Sequence, residues 1–403
     1  GLTLEGGWDE SFSNHDPGLY PTDIAAPAGD QYAVIVKHAS GVVLRHLSCT
    51  GGSVGGAENG ALLVDGSIDV RINSCRMTGS TASPSGTVSG IVVLNSSFVT
   101  IENNTVYAGS SSGFPTFGIR IDNSDAVISG NKEIHGGAGV DSDTTGIQVI
   151  GGSSVNIYRN DIRGGASSTD ASNTGIYFYK ANECNAYNNF ITGGTMNTDQ
   201  YAECYGIRAT DTELNIINNT VHGGGRTNTL NEKLGNDDCY AINISNNPWT
   251  ISPIIANNII FGGNSMLSNY GIRFQCSSCP VSAWIYNNTF SVDKCTSFLL
   301  ISTVDHASIN DVNGSAAASP SPSGNLKFFA GDILFTDEPN NDYHISSSTP
   351  DLIDDNGSNF TSPDSLVTEL NESGGVTADL LTDIDGTVRD RYTIDRGAHE
   401  AYE

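Results

Sequence analysis

The sequence predicts an all-β fold, a single chain wound into about ten coils of short parallel strands. Three observations predict it. One unit keeps returning: LNIINNTVHGGG begins at Leu214, VTIENNTVYAG at Val99, VNIYRNDIRGG at Val155, CNAYNNFITGG at Cys184, PIIANNIIFGG at Pro253, AWIYNNTFSVD at Ala283 and a looser AVISGNKEIHGG at Ala126. Two independent columns share a period. The second asparagine of each pair falls at Asn104, Asn131, Asn160, Asn189, Asn219, Asn258 and Asn288, in steps of 27 to 39 residues. A small residue opens each first strand at Ala33, Gly60, Gly90, Gly118, Gly146, Gly175, Gly206, Ala241 and Gly271, in steps of 27 to 35. Finally, the composition suits strands and turns, with 46 Gly, three Met, and Asn, Ser and Thr crowded between β-branched runs.

Taken in order, residues 1–31 hold a short alternating strand (Leu2, Leu4), a Gly-Gly turn and a polar loop, and read as an N-terminal cap. Residues 32–312 form the coil. Each period holds three short strands, which is too long for a hairpin and lacks the helical half of a leucine-rich repeat. Each strand is therefore expected to pair in parallel with its equivalent one turn on, about 4.8 Å away. Apolar columns should face inward, such as Ile147, Ile176 and Ile207 in the first strand, Ile157, Ala186 and Ile216 in the second, and Ile162, Ile191 and Val221 in the third. The asparagines fall at the bend between second and third strands, where Asn tolerates a left-handed backbone and its amide can bond to the Asn above and below. Residues 313–325, NGSAAASPSPSGN, read as a Ser/Pro/Ala loop or linker. Residues 326–403 lose the repeat and read as an irregular C-terminal cap over the last coil, whose open edge would otherwise invite aggregation.

The GI-x-x strand, the x-I-x-NN-x-V turn, the opening GGWDESFSNHDPGLYPT, and the endings DYHISSSTPDLIDDNGS and TDIDGTVRDRYTIDRGAHEAYE resemble the secreted bacterial β-helix repeat group of the pectate-lyase-like superfamily. The resemblance covers nearly the whole chain. It implies a single-stranded, right-handed parallel β-helix, secreted or at the surface of a bacterial cell. The group includes polysaccharide lyases and hydrolases as well as proteins of no established activity, so it does not select a chemistry.

Charge and cysteines narrow the partners. A formal charge of −27 argues against nucleic acid, which needs a basic surface, and asks a bare polyanion to bring a bridging cation such as Ca²⁺. No stretch reaches the roughly 20 apolar residues of a membrane span. The opening at Gly1, without Met or a signal-peptide pattern, reads as a processed product. Eight Cys, an even number, suit an oxidising compartment. Cys204 and Cys239 each stand two residues before the small residue of adjacent coils and are expected to be bonded. Cys49 and Cys75 lie on neighbouring coils, offset by two, and are expected to form a second pair, while the partners of Cys184, Cys276, Cys279 and Cys295 stay open.

In enzymes of the resembled group the substrate lies along the outer face of the first strand, walled by long loops. Here that face offers Arg120, Asp122, Tyr177, Tyr179, Arg208 and Arg273 as substrate-binding residues, since tyrosine faces stack on sugar rings and arginines bond to their polar groups. A lyase needs a base and a cation to hold the developing charge; Lys180 or Arg208 would be the base and Tyr179 the acid, beside Tyr177. Asp170, Asp199 and Glu203, on the adjoining loops, are candidate Ca²⁺ ligands. The acids Asp122 and Asp211 stand three coils apart, about 14 Å, too far to form a hydrolytic pair. His135 and His222 are equally distant, cannot share a metal ion, and read as surface residues. With no paired acid and base in view, the expected function is non-catalytic: a rigid face for glycan binding, adhesion or self-association. The alternatives are a Ca²⁺-dependent lyase acting on an acidic polysaccharide, and the subunit of an extracellular filament.

Overall fold

The computed structural model describes residues 1–345, except for 28, 56–57, 81–84, 168–170, 197–201, 227–237, 246–252, 266–267, 276–280, 292–293, 303, 317, 320–324, 329–334 and 338–341. Three long parallel sheets run the length of a right-handed β-helix. The first runs from Tyr32–Lys37 to Ser297–Ile301, the second from Leu2–Glu5 to Trp284–Tyr286, and the third from Thr22–Ala25 to Leu326–Phe328. Equivalent strands pair in register, so that Ile147 stands on Ile176 and Ile176 on Ile207. The helix makes about eight turns, slightly fewer than the ten expected. At the start, Leu2–Glu5 pairs with Ser40–Arg45 and Thr22–Ala25 with Leu47–Thr50, without a first-sheet strand of their own. The cap is therefore itself a partial turn.

The expected inward columns are fully buried in all three sheets, from Ile91 to Ile272, Ile101 to Ile285 and Val106 to Phe290. Each Ile, Val or Phe of these columns contributes roughly 1.5–3 kcal/mol on burial, which makes this stack the main cohesive element of the described coil. The small-residue column has a steric cause. A Cβ on Gly175 would lie 2.6 Å from the carbonyl oxygen of Gly206 and 2.7 Å from a methyl of Ile191.

The two asparagines of each pair have different tasks. The first takes the left-handed backbone, with φ of 57° at Asn103, 54° at Asn188, 55° at Asn218 and 56° at Asn257, and Gly130 and Arg159 replace it on two turns. The second is buried and forms the ladder. Asn219 Oδ1 accepts from the backbone N–H of Asn189 (3.0 Å) and from its Nδ2 (3.0 Å), while Asn219 Nδ2 donates to the Ala186 carbonyl (2.8 Å). The same contacts link Asn104 to Asn131 and run on through Asn288 to Asn325, so the end of the 313–325 stretch is tied to the coil.

Two further features were not anticipated. Between first and second strands, Ser67, Ser96, Ser124 and Ser153 form a hydroxyl ladder in which each Oγ accepts the backbone N–H of the turn before at 3.0–3.1 Å. The glycine-rich loops carry a fourth, five-stranded parallel sheet, from Ser110–Ser112 to Gly225–Arg226. A five-residue helix, Ile309–Asn313, is capped by Ser308, whose side chain accepts from the Asp311 N–H. Most of the 326–403 capping segment lies outside the described residues.

The expected disulfides are not formed: Cys49, Cys75, Cys204 and Cys239 are buried free thiols, as is Cys184. Cys204 does stand directly opposite Cys239. In-register parallel neighbours point their Cα–Cβ bonds the same way, so their Cβ atoms repeat at about 4.8 Å, beyond the 3.5–4.5 Å that a disulfide spans. Cys49 is opposite Met77, and the Cys75 thiol turns instead to the carbonyl of Asn73 at 3.3 Å. Burial pushes these thiols up, Cys49 to about 12 and Cys75 to about 11, which leaves them protonated and unreactive. Cys276 and Cys279 lie outside the described residues.

Candidate functional site

The outer face of the first sheet concentrates its polar chemistry between the strands Asn173–Tyr179, Glu203–Thr210, Asp238–Ser245 and Ser268–Gln275. Strict alternation sends Ile176, Ile207, Ile242 and Ile272 inward and places Tyr177, Arg208, Asn243 and Arg273 in one outward row. The kink at the small-residue column adds a second row. Tyr205, Tyr240 and Tyr270 stack in register, with ring centroids 5.1 and 5.0 Å apart and planes within 13° and 8°.

The arginines lie across these rings. Arg208 sits 4.8 Å from the Tyr205 centroid and 5.1 Å from that of Tyr177, and Arg273 sits 4.9 Å from Tyr240. Among the described residues neither has a carboxylate partner, and the buried Arg273 Nε has no hydrogen-bond partner at all. Between them Asn243 is 3 % exposed, and its Oδ1 accepts no hydrogen bond. A buried amide oxygen left unpaired costs about 1–3 kcal/mol, so the row is short of a donor that a ligand can bring.

A third row carries acids. The Tyr205 hydroxyl donates to Glu203, and the Tyr240 hydroxyl donates to Asp238 Oδ2 at 3.0 Å. Burial pushes both phenols well above their ordinary range, with the neighbouring carboxylates adding to it, so they stay protonated as donors. Glu203 and Asp238 are in register on adjacent strands. Asp238 is not among the acids expected from the sequence, although Glu203 is; the signal that places it is the pair Cys204 and Cys239, which brings the preceding residues Glu203 and Asp238 into register.

The other expected site residues divide. Arg120 and Asp122 share the face but are occupied: the Arg120 guanidinium bonds to both oxygens of Glu58 at 3.0 Å and to Asp122 at 3.2 Å. Tyr179 and Lys180 close the strand, with the Lys180 ammonium 5.2 Å from the Tyr179 ring centroid. Glu203 is placed as described, while Asp170 and Asp199 lie outside the described residues. His135 and His222, taken for surface residues, are half-buried braces: Nδ1 of each accepts the backbone N–H two residues on, from Gly137 and Gly224, at 2.9 Å.

No protein-family model matches the chain, and no curated protein does. Among solved structures it is similar to the A-module of a mannuronan C-5 epimerase from Azotobacter vinelandii, with 13% identity over 81% of this chain and 90% of that one and a TM-score of 0.33. It is also similar to the catalytic domain of a GH87 α-1,3-glucanase in complex with tetrasaccharides, at 16% identity over 76% and 59% of the two chains and a TM-score of 0.29. A periplasmic alginate epimerase follows at 12% identity over 75% and 67%, TM-score 0.27. None of these likenesses carries over a residue or a reaction, and the site is read from its own side chains.

Proposed function

We propose that this is a secreted or cell-surface β-helix that binds a carboxylate-bearing polysaccharide along the outer face of its first sheet. One observation carries the reading: the row Arg208, Asn243, Arg273, in which two guanidinium groups without a carboxylate partner among the described residues flank a buried acceptor without a donor there. A uronate unit brings a carboxylate for the arginines and hydroxyl donors for Asn243, and the Tyr177 and Tyr270 rings offer faces for the sugar. The row runs along the coil axis, so a polymer lying across successive strands meets the arginines in turn.

Hydrogen bonds to a charged partner are worth about 1.5–3 kcal/mol. Arg208→Ala and Arg273→Ala are each expected to weaken binding of a uronate polymer by about 10- to 100-fold in affinity electrophoresis, while Arg71→Ala, on the second sheet, leaves it unchanged. Because the arginines meet the carboxylate directly, binding is expected to survive EDTA rather than need a bridging Ca²⁺. Equal retention by neutral glucans, or indifference to both substitutions, would sink the reading.

A second reading rests on Glu203 and Asp238. Their in-register placement sets the backbones about 4.8 Å apart, the scale of the roughly 5 Å carboxyl separation in retaining glycosidases. Release of reducing ends, abolished by Glu203→Gln or Asp238→Asn, would establish hydrolysis, and a bound polymer that stays intact would reject it. On the lyase alternative, Arg208, lying over the Tyr177 and Tyr205 rings, is placed to hold the developing charge as the cation, with Lys180 as the base.

A further inference from the structure

We propose that Glu5, His15 and His46 form a binding site for a divalent transition-metal cation, with zinc the ion their donors suit best, and that the ion fastens the N-terminal loop to the first coil. The three ligands come from three separate segments. Glu5 ends the edge strand of the second sheet, His46 follows the neighbouring strand at the bend, and His15 returns from the loop that joins the two strands of the cap. Their ligand atoms lie within 4.8 Å of one another.

Local structure explains how they converge. His46 occupies the left-handed bend position, φ 56°, which most other turns fill with Asn, and single turns with Ser74, Gly130 and Arg159. His15 is drawn back by an antiparallel bridge to Trp8 and by the Asp16 N–H, which donates to the Gly7 carbonyl at 2.8 Å. Its ring packs 4.7 Å from Trp8 and 5.3 Å from His46, centroid to centroid. His15 Nε2 then lies 3.4 Å from Glu5 Oε1 and 3.1 Å from the Gly6 carbonyl oxygen, a fourth donor. Ligands 2.0–2.1 Å from a tetrahedral ion stand roughly 3.3 Å apart, so His15 Nε2 is already at coordination spacing from both oxygens. Rotation of the half-buried His46 ring completes the set. Two imidazoles and a carboxylate select zinc and its transition-metal neighbours over Ca²⁺ and Mg²⁺.

Arg45 is the opposing group. Its Nε and Nη2 hold the two Glu5 oxygens at 2.7 and 2.9 Å. A carboxylate has about four lone-pair sites, so Oε1 keeps one facing His15 while Arg45 fixes its orientation. The guanidinium charge also repels a dication, which predicts that removing it tightens the site.

The test is calorimetric titration of the metal-stripped full chain with Zn²⁺. One ion per chain is expected at about 10–100 µM protein, with a thermal midpoint that rises with Zn²⁺ and no response to Ca²⁺ or Mg²⁺. His15→Ala and His46→Asn, the latter keeping a residue suited to the left-handed bend, should each weaken Zn²⁺ binding at least tenfold, and Arg45→Gln should strengthen it. Co²⁺ in the unaltered protein should give the visible absorption of a tetrahedral site, a readout that needs no variant. Absence of stoichiometric binding, or binding undiminished in both histidine variants, overturns the proposal.

Discussion

Asn219→Ala is expected to lower the stability of the protein by about 3–5 kcal/mol, with the loss centred on the turns that carry Asn189 and Asn258. Asn219 is fully buried, and its amide satisfies the backbone N–H and the Nδ2 of Asn189, the carbonyls of Ala186 and Ile217, and the Oδ1 of Asn258. Alanine leaves several of these groups buried without partners, and each costs about 1–3 kcal/mol. The neighbouring residue should behave oppositely. Asn218 holds the left-handed bend, and both polar atoms of its amide are buried and unpaired. Glycine takes the same backbone at Gly130, φ 60°, so Asn218→Gly is expected to be neutral or stabilising by up to about 1 kcal/mol. Chemical denaturation of the two variants checks both, and a similar loss from each would show that the pair does not divide its work as described.

The second large effect is acid sensitivity through His222. Burial, and then the Lys294 charge, lower its pKa from 6.5 to about 4. Protonation would also break the bond from the Gly224 N–H to Nδ1. Above about pH 6.5 the ring is neutral folded or unfolded, and the protein has its full stability. Between about pH 6.5 and 4 the unfolded chain takes up a proton that the folded one refuses, so stability falls as the pH falls. At roughly 1.4 kcal/mol per pH unit the loss approaches about 3.5 kcal/mol, tempered toward about 2 because part of the ring is solvent-accessible. His135, lowered chiefly by burial and braced in the same way, adds to it. Thr192 fills the equivalent position on the turn before His222 and accepts the Gly194 N–H without titrating. His222→Thr is therefore expected to be the less stable protein at pH 7.5 and to close the gap by about 2 kcal/mol at pH 4.5. A gap between the two that does not move with pH would refute this account.

The coil was legible because its determinants are periodic. Ile176 and Ile207 must face inward if every strand alternates, and a clash such as that of a Cβ on Gly175 with Gly206 leaves only small residues in the anchor column. The asparagine ladder was legible for the same reason, although the assignment of the bend to the first Asn and the ladder to the second needed coordinates. The site was read in part. Tyr177, Arg208 and Arg273 were found on the expected face, but Arg120 was grouped with them although Glu58 and Asp122 occupy it. Asn243 and Asp238 were missed.

What the sequence determined by itself was the winding of the chain, because a repeated interaction writes itself into a repeated residue. What only the tertiary structure decided was which outward residues are free to act. Arg120 and Arg208 are the same amino acid in the same row, and the difference between a spent cation and an available one depends on Glu58, 62 residues from Arg120 in sequence. The same holds at the cap, where Glu5, His15 and His46 meet only because one turn is laid upon another. Long-range neighbours of single residues leave no period to read, and it is those neighbours that set charge, burial and reach.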